Sequence, residues 1–207
     1  MPVEAVLFDM DGTLIDSSEA NIRYFQDLIE SFGYQRPEKE KIEALLHLTS
    51  LDLIKNLLPN EPEERVKEIW RRGSEIYPRY IKYIKLKPGA REVVKTLSRK
   101  YKLGVVTSRR RKSTNLILEK YELKRFFKVV ITFEDYANPK PNPEPILKAL
   151  EKLRVGASRA VYIGDTLVDF EAAKKAGVKS IICSQKDLPI ESRVNSLREI
   201  IAIIDSM

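Results

Sequence analysis

Two carboxylates, Asp9 and Asp11, stand either side of Met10 directly after the apolar run VLF, and Gly12 and Thr13 follow at once. Further polar groups lie at or beyond the ends of other short apolar runs. Thr107 and Ser108 follow GVV, Lys140 lies downstream of the next run in KPNP, and Asp165 and Asp169 fall in GDTLVD. In an open parallel sheet, ligands bind beyond the carboxyl ends of the strands, so these residues would converge. Carboxylates gathered at close range cannot all stay ionised unless a cation neutralises them. Oxygen donors without a neighbouring His or Cys favour a hard cation such as Mg²⁺. A lysine and a hydroxyl facing that cation complete a cradle for a dianionic phosphate. In that setting one carboxylate attacks phosphorus to form an acyl phosphate while its neighbour handles the leaving-group proton. We assign the attack to Asp9 and the acid, then base, to Asp11. If strand alternation persists through Met10, both carboxylates turn to one side.

The elements that must position these groups are legible as an alternation. Strand candidates are Val3–Phe8, Leu103–Val106, Val129–Thr132, Ala160–Ile163 and Ser180–Cys183. Amphipathic stretches at Ala90–Lys100, Ser113–Leu123, Pro143–Leu153 and Asp169–Ala176 lie between them, and Gly177 closes the last. Such alternation predicts an α/β fold, a doubly wound parallel sheet with helices on both faces. Residues 17–86 break the rhythm. Ile22, Phe25, Leu28, Ile29 and Phe32 recur at helical spacing until Gly33, and helical patterns continue over Glu38–Leu58 and Glu63–Lys85. The expected organisation is a catalytic core of 1–16 and 87–207 with an inserted all-helical domain at 17–86, hinged near Ser17 and Leu86–Pro88.

Composition narrows the classes. The 207 residues are 43% hydrophobic and 32% charged, which indicates a folded globular chain. The sequence has neither a membrane-length apolar stretch nor a secretory signal pattern. A lone Cys183, ending an apolar run, fits a buried structural thiol in the reducing cytoplasm. Abundant Lys, Arg and Glu with few Gln lean toward a heat-adapted source. The net charge of +7 is local: residues 17–86 hold twelve basic and twelve acidic side chains, whereas 87–128 hold fourteen basic against three acidic.

At the site residues the sequence resembles the haloacid dehalogenase (HAD) superfamily, specifically its phosphatases with a helical cap after the first strand. DMDGT at 9–13, Thr107 ending VVT, Lys140 in KPNP and GDTLVD at 164–169 match its four motifs, and PGAREVVKTL and AAKKAGV resemble its connecting helices. The resemblance implies a Rossmann-like core and a set of roles. Asp9 would carry the phosphoryl group and ligate Mg²⁺, and Asp11 would ligate through its backbone carbonyl. Asp165 would be the third protein ligand, with Asp169 behind it or acting through water. Thr107 and Lys140 would hold phosphoryl oxygens, with backbone contacts from Ser108 and Gly12. A carboxylate at Asp11 favours phosphate-ester chemistry over dehalogenation. Cap closure would expel water during the first step and readmit it for the second.

Other signals are weighed against plainer readings. Arg109, first of the run RRRK, is a candidate contact for a second anionic group of the substrate, set against a plainer reading of the whole run, Arg110, Arg111 and Lys112 included, as a solvated helix start. His47, in LLHLTS, is a specificity candidate whose plain reading is an exposed helix histidine. Trp70, Tyr77, Tyr80 and Tyr83 read as packing rather than a base-stacking platform. The expected protein is a cytoplasmic, Mg²⁺-dependent phosphatase of small phosphorylated metabolites, phosphoglycolate-like substrates favoured, working through an aspartyl phosphate. The alternatives are a phosphomutase resembling the β-phosphoglucomutase branch, a pyrophosphatase, and a nucleic-acid binder using the basic face at 87–128.

Overall fold

The computed structural model describes residues 2–46, 48–185, 188–190 and 193–207. The apolar strand β1 (Ala5–Phe8) is buried at every position, as a strand covered on both faces must be. It runs into a polar turn in which the Leu14 and Ile15 amides donate to the Met10 carbonyl at 2.9 and 3.0 Å. The two-residue β2 (Ile15–Asp16) follows. From there the chain enters a helical unit, residues 17–85, one of two compact units; the other comprises 1–16 and 86–207.

The helical unit contains α1 (Ser18–Ser31), α2 (Lys39–Leu45), α3 (Ser50–Leu57) and α4 (Glu63–Ile76). Gly33, at a φ of +85°, ends the first run with its amide on the Glu30 carbonyl at 2.9 Å. The expected continuous stretch over Glu38–Leu58 is broken. Thr49 caps α3 by accepting the Asp52 amide at 3.2 Å, which starts a new helix. The stretch over Glu63–Lys85 is also cut short, because Pro78 cannot continue α4 and the chain tightens into a 3₁₀ turn at Tyr77–Tyr83. Ile22, Phe25, Leu28 and Ile29 form the unit's core with Ile42, Ile54 and Ile69. Tyr24 meets Phe25, Tyr77 and Tyr80 edge-on, with centroids 4.7, 4.9 and 5.7 Å away. Tyr77, Tyr80 and Trp70 pack against this core, in keeping with their reading as packing residues.

β3 (Lys85–Leu86) pairs with β2 in a two-stranded ladder. The remaining elements alternate: α5 (Ala90–Leu97), β4 (Lys102–Val106), α6 (Arg111–Lys120), β5 (Phe127–Ile131), α7 (Glu144–Leu153), β6 (Ala160–Gly164), α8 (Leu167–Lys175), β7 (Lys179–Cys183), β8 (Arg193–Val194) and α9 (Glu199–Asp205). Six strands form one parallel sheet in the order β5-β4-β1-β6-β7-β8. Ala5 and Leu7 pack with Ile146, Leu150, Ala172 and Ala173 of α7 and α8. Val6 and Phe8 alternate to the other face and are equally buried. The sheet therefore has helices on both faces and β1 at its centre. β8 and α9 were not anticipated: a two-residue edge strand carries no periodicity, and the IIAII of α9 is apolar all round.

Candidate active site

Strand register fixes the centre of the site. Phe8 pairs with Val105 on one side and Ile163 on the other. Asp9 therefore lies level with Val106 and Gly164, and Thr107 and Asp165 come one residue later. The ladder extends past the strand ends: the Asp9 amide donates to the Ile163 carbonyl at 2.8 Å and the Thr107 amide to Ile131 at 3.0 Å. Gly12 lets the following turn fold back over this edge. Its φ is +78°, and a Cβ there would collide with the Asp165 carboxylate. The Gly12 amide closes the turn onto the Ile15 carbonyl at 2.8 Å. Gly12 thus gives this edge its shape.

Lys140 comes from the loop between β5 and α7, before a cis peptide bond to Pro141. Its Nζ lies 2.6 Å from Asp9 Oδ1, 2.6 Å from Asp169 Oδ1 and 3.1 Å from the Tyr162 hydroxyl. The side chains of Lys140, Asp9 and Asp169 are only 7%, 8% and 3% exposed. Asp169 is saturated with donors. Tyr162 donates to Oδ1 at 3.0 Å, while Oδ2 accepts the Thr166 hydroxyl at 2.7 Å and the amides of Thr166 and Asp165 at 3.2 and 3.3 Å. Asp165 Oδ1 accepts the buried Thr13 hydroxyl at 3.2 Å. One oxygen from each of Asp9, Asp165 and Asp169 falls within a 4.8 Å group.

The electrostatics show what this crowd lacks. Burial, and then the Asp169 charge, push Asp165 up to about 7. Burial also pushes Asp9 well above the usual carboxylate range; Lys140 opposes this, but Asp169, Asp165 and Asp11 add to it. Burial alone would lower Lys140, yet Asp169 and Asp9 hold it well above its ordinary value, so it stays an ammonium. Asp169 is likewise disfavoured by burial, but Lys140 and the Thr166 and Tyr162 hydroxyls keep it below the usual range. One lysine thus neutralises one carboxylate fully and leaves Asp9 and Asp165 short of positive charge. Two such oxygen donors on rigid strand ends fit a hard divalent cation. Asp9 and Asp165 would hold it, with Asp169 too heavily hydrogen-bonded to do more than orient its neighbours.

The remaining expected residues divide. Thr107 is buried at the end of β4 and its Oγ1 accepts the Arg109 amide at 3.2 Å, while Ser108 is exposed. Arg109 is engaged within the protein: its Nε and Nη2 each donate at 2.6 Å to the two oxygens of Asp11. Arg110 lies over the Phe133 ring at 5.8 Å, Arg111 pairs with Asp135, and Lys112 is exposed. His47 lies outside the described residues. Elsewhere in 87–128, Arg91 pairs with Glu122, Lys124 with Glu119 and Lys100 with Asp205, so part of the basic excess is neutralised in the fold. The residue that sequence reasoning missed is Tyr162. Its signal was present, a lone hydroxyl inside the apolar run AVYIG of β6. Burial and Asp169 hold its hydroxyl protonated, ready to donate.

Comparison with known proteins agrees with this geometry. The sequence profile of the family described as haloacid dehalogenase-like hydrolase matches residues 6–183. A protein of Caldanaerobacter subterraneus subsp. tengcongensis that carries the PpaX pyrophosphatase name is 34% identical over 193 residues, covering 92% of this chain and 86% of that one. The protein called pyrophosphatase PpaX in Halalkalibacterium halodurans is 32% identical, with 88% and 84% covered. Among solved structures, a HAD-superfamily hydrolase of subfamily IA, variant 1, from Geobacter sulfurreducens superposes with a TM-score of 0.83 at 32% identity, covering 97% of this chain and 99% of its own.

Proposed function

Because this chain belongs to the haloacid dehalogenase-like hydrolase family and is a phosphatase of that type, we propose that it is Mg²⁺-dependent and turns over through a phosphoryl group carried on Asp9. The observation that carries this reading is Lys140, buried against both Asp9 and Asp169 at 2.6 Å. Burying an ion cluster costs several kcal/mol per charge, and apolar packing of the same volume is often at least as stable. Such a cluster is explained by chemistry better than by stability.

Asp9 attacks phosphorus as the bond from phosphorus to the leaving oxygen breaks, and Asp11 gives that oxygen a proton. Water then attacks the phosphorus on Asp9, Asp11 takes the water's proton, and the Asp9 carboxylate is restored. The Lys140 ammonium and the Thr107 hydroxyl steady the phosphoryl oxygens through both steps. Mg²⁺, held by Asp9, Asp165 and the Asp11 main-chain carbonyl, would supply charge stabilisation for the transferring group. Tyr162 and Asp169 keep Lys140 pointing at Asp9.

The proposed substrate is a small phosphate bearing a second anionic group. Phosphoglycolate-like esters fit this description, and so does inorganic pyrophosphate, which the relatives' PpaX name supports. A cytoplasmic location accords with the single, buried Cys183. A screen of phosphorylated metabolites for phosphate release tests the proposal. Release that depends on Asp9 supports it, whereas isomerisation of a sugar phosphate without release would favour the mutase.

A further inference from the structure

The Arg109–Asp11 pair stands in tension with the proposed mechanism, and the tension is informative. Arg109 sets a side-on fork on Asp11, Nε to Oδ2 and Nη2 to Oδ1, both at 2.6 Å. The Arg109 side chain is 10% exposed, while Asp11 is 34% exposed. The arginine is anchored from behind: its amide donates to Thr107 Oγ1 at 3.2 Å, and its carbonyl accepts the Phe133 amide at 2.9 Å. Asp11 sits in the tight turn closed by Gly12 and Ile15. A carboxylate with both oxygens in a guanidinium fork has neither oxygen open to a leaving group. It is also tied in place, so it cannot turn toward a leaving oxygen. The pair must therefore open once in each catalytic cycle.

What can open it follows from the chemistry of the fork. A planar guanidinium exchanges one bidentate oxyanion for another, a carboxylate or a phosphate, at little net cost. A neutral group offers no such exchange and leaves two charges to be separated. We propose that Arg109 is a gate on Asp11: the second anionic group of the substrate takes the arginine's fork and releases the Asp11 carboxylate for proton transfer. This rests on the phosphatase reading above and extends it. Recognition of a second carboxylate or phosphate and release of the acid become one event, and a phosphate ester with a neutral tail finds Asp11 still held. In the steps given above, the proton that Asp11 gives to the leaving oxygen is recovered from the attacking water. Arg109 acts as a positioning residue in the free enzyme and a substrate contact in the complex.

The test compares pyrophosphate and 2-phosphoglycolate, each with a second anion, against ethyl phosphate, which has none, in the Mg²⁺-loaded wild-type enzyme and in Arg109→Met and Arg109→Lys. A charge-assisted bidentate contact corresponds to about ten- to a hundredfold in binding. In Arg109→Met the preference for the bis-anionic substrates, as a ratio of kcat/KM, should collapse by about that factor. Most of the change should be a rise in their KM, while kcat for ethyl phosphate rises because Asp11 is no longer tied. Arg109→Lys keeps the charge without the fork and should recover only part of the preference. A preference unchanged in both folded variants overturns the gate, as does an equal fall in kcat for all three substrates. Failure of the phosphatase reading looks different: the wild-type enzyme would then release no phosphate from any of them.

Discussion

Charges are used in opposite ways by the two units. In the helical unit they lie at the surface: Arg36 bridges Asp27 and Glu30, Arg65 reaches Glu68, and Lys67 contacts Glu63 and Glu64, with side chains roughly a third to four-fifths exposed. Its interior is aliphatic and aromatic, and its buried glycine, Gly73, makes room for Tyr24 and Leu28. In the sheet unit, Lys140, Asp9 and Asp169 are charges under the surface, brought together from a loop, the end of β1 and the first turn of α8. Exposed pairs contribute roughly 0–1 kcal/mol and can be exchanged freely. Removing the one cation of a buried cluster strands its carboxylates without a counter-charge. The contrast separates side chains that decorate a fold from side chains the fold was organised to hold.

The sharpest way to break the contrast is Asp9→Asn. Turnover measured as phosphate release should fall by more than about a thousandfold. The melting temperature of the metal-free protein should not fall, because burial already disfavours the Asp9 charge. Activity near the original level would remove Asp9 from the chemistry. Chelation with EDTA should abolish phosphate release and added Mg²⁺ should restore it, while an enzyme indifferent to chelator would contradict the use of Asp9 and Asp165 as ligands.

Lys140→Met tests the other side of the comparison. It strands Asp169 and Asp9 without a counter-charge, and thermal or denaturant unfolding should show a loss of roughly 3 kcal/mol or more. A neutral effect would make the cluster as dispensable as the surface pairs. The pH dependence sharpens the same point. Asp165 is raised in the folded protein from the ordinary carboxylate value to about 7, so between these limits the folded state binds more protons than the unfolded one. Its contribution to stability is complete below about 4 and is lost as pH rises toward 7. The metal-free melting temperature should fall across that window, and Mg²⁺ should flatten the slope. Least affected should be Arg36→Ala in the helical unit, which should change unfolding free energy by less than about 1 kcal/mol.

Much of this was legible beforehand. Five strands were readable because each contains a short, largely buried apolar run; β1, β4, β5, β6 and β7 begin and end within two residues of expectation. The residues Asp9, Thr107, Lys140, Asp165 and Asp169 could be grouped because each lies at or beyond a strand's carboxyl end. Other features were present but unread. Thr49 with Asp52 marks a helix start inside what looked like one helix, and Tyr162 is a hydroxyl where an aliphatic residue would suffice. The basic run beginning at Arg109 read as one feature, yet its members meet Asp11, Phe133 and Asp135 separately.

By itself, the sequence determined the architecture and the chemical inventory, because periodicity and strand-end position are local properties that each segment carries alone. Only the tertiary structure decided who pairs with whom. Lys140 chose Asp9 and Asp169 across 131 and 29 residues, and Arg109 chose Asp11 across 98. The energy of an ion pair depends on distance and on the water excluded around it, and neither is fixed until the sheet has set the strand ends side by side.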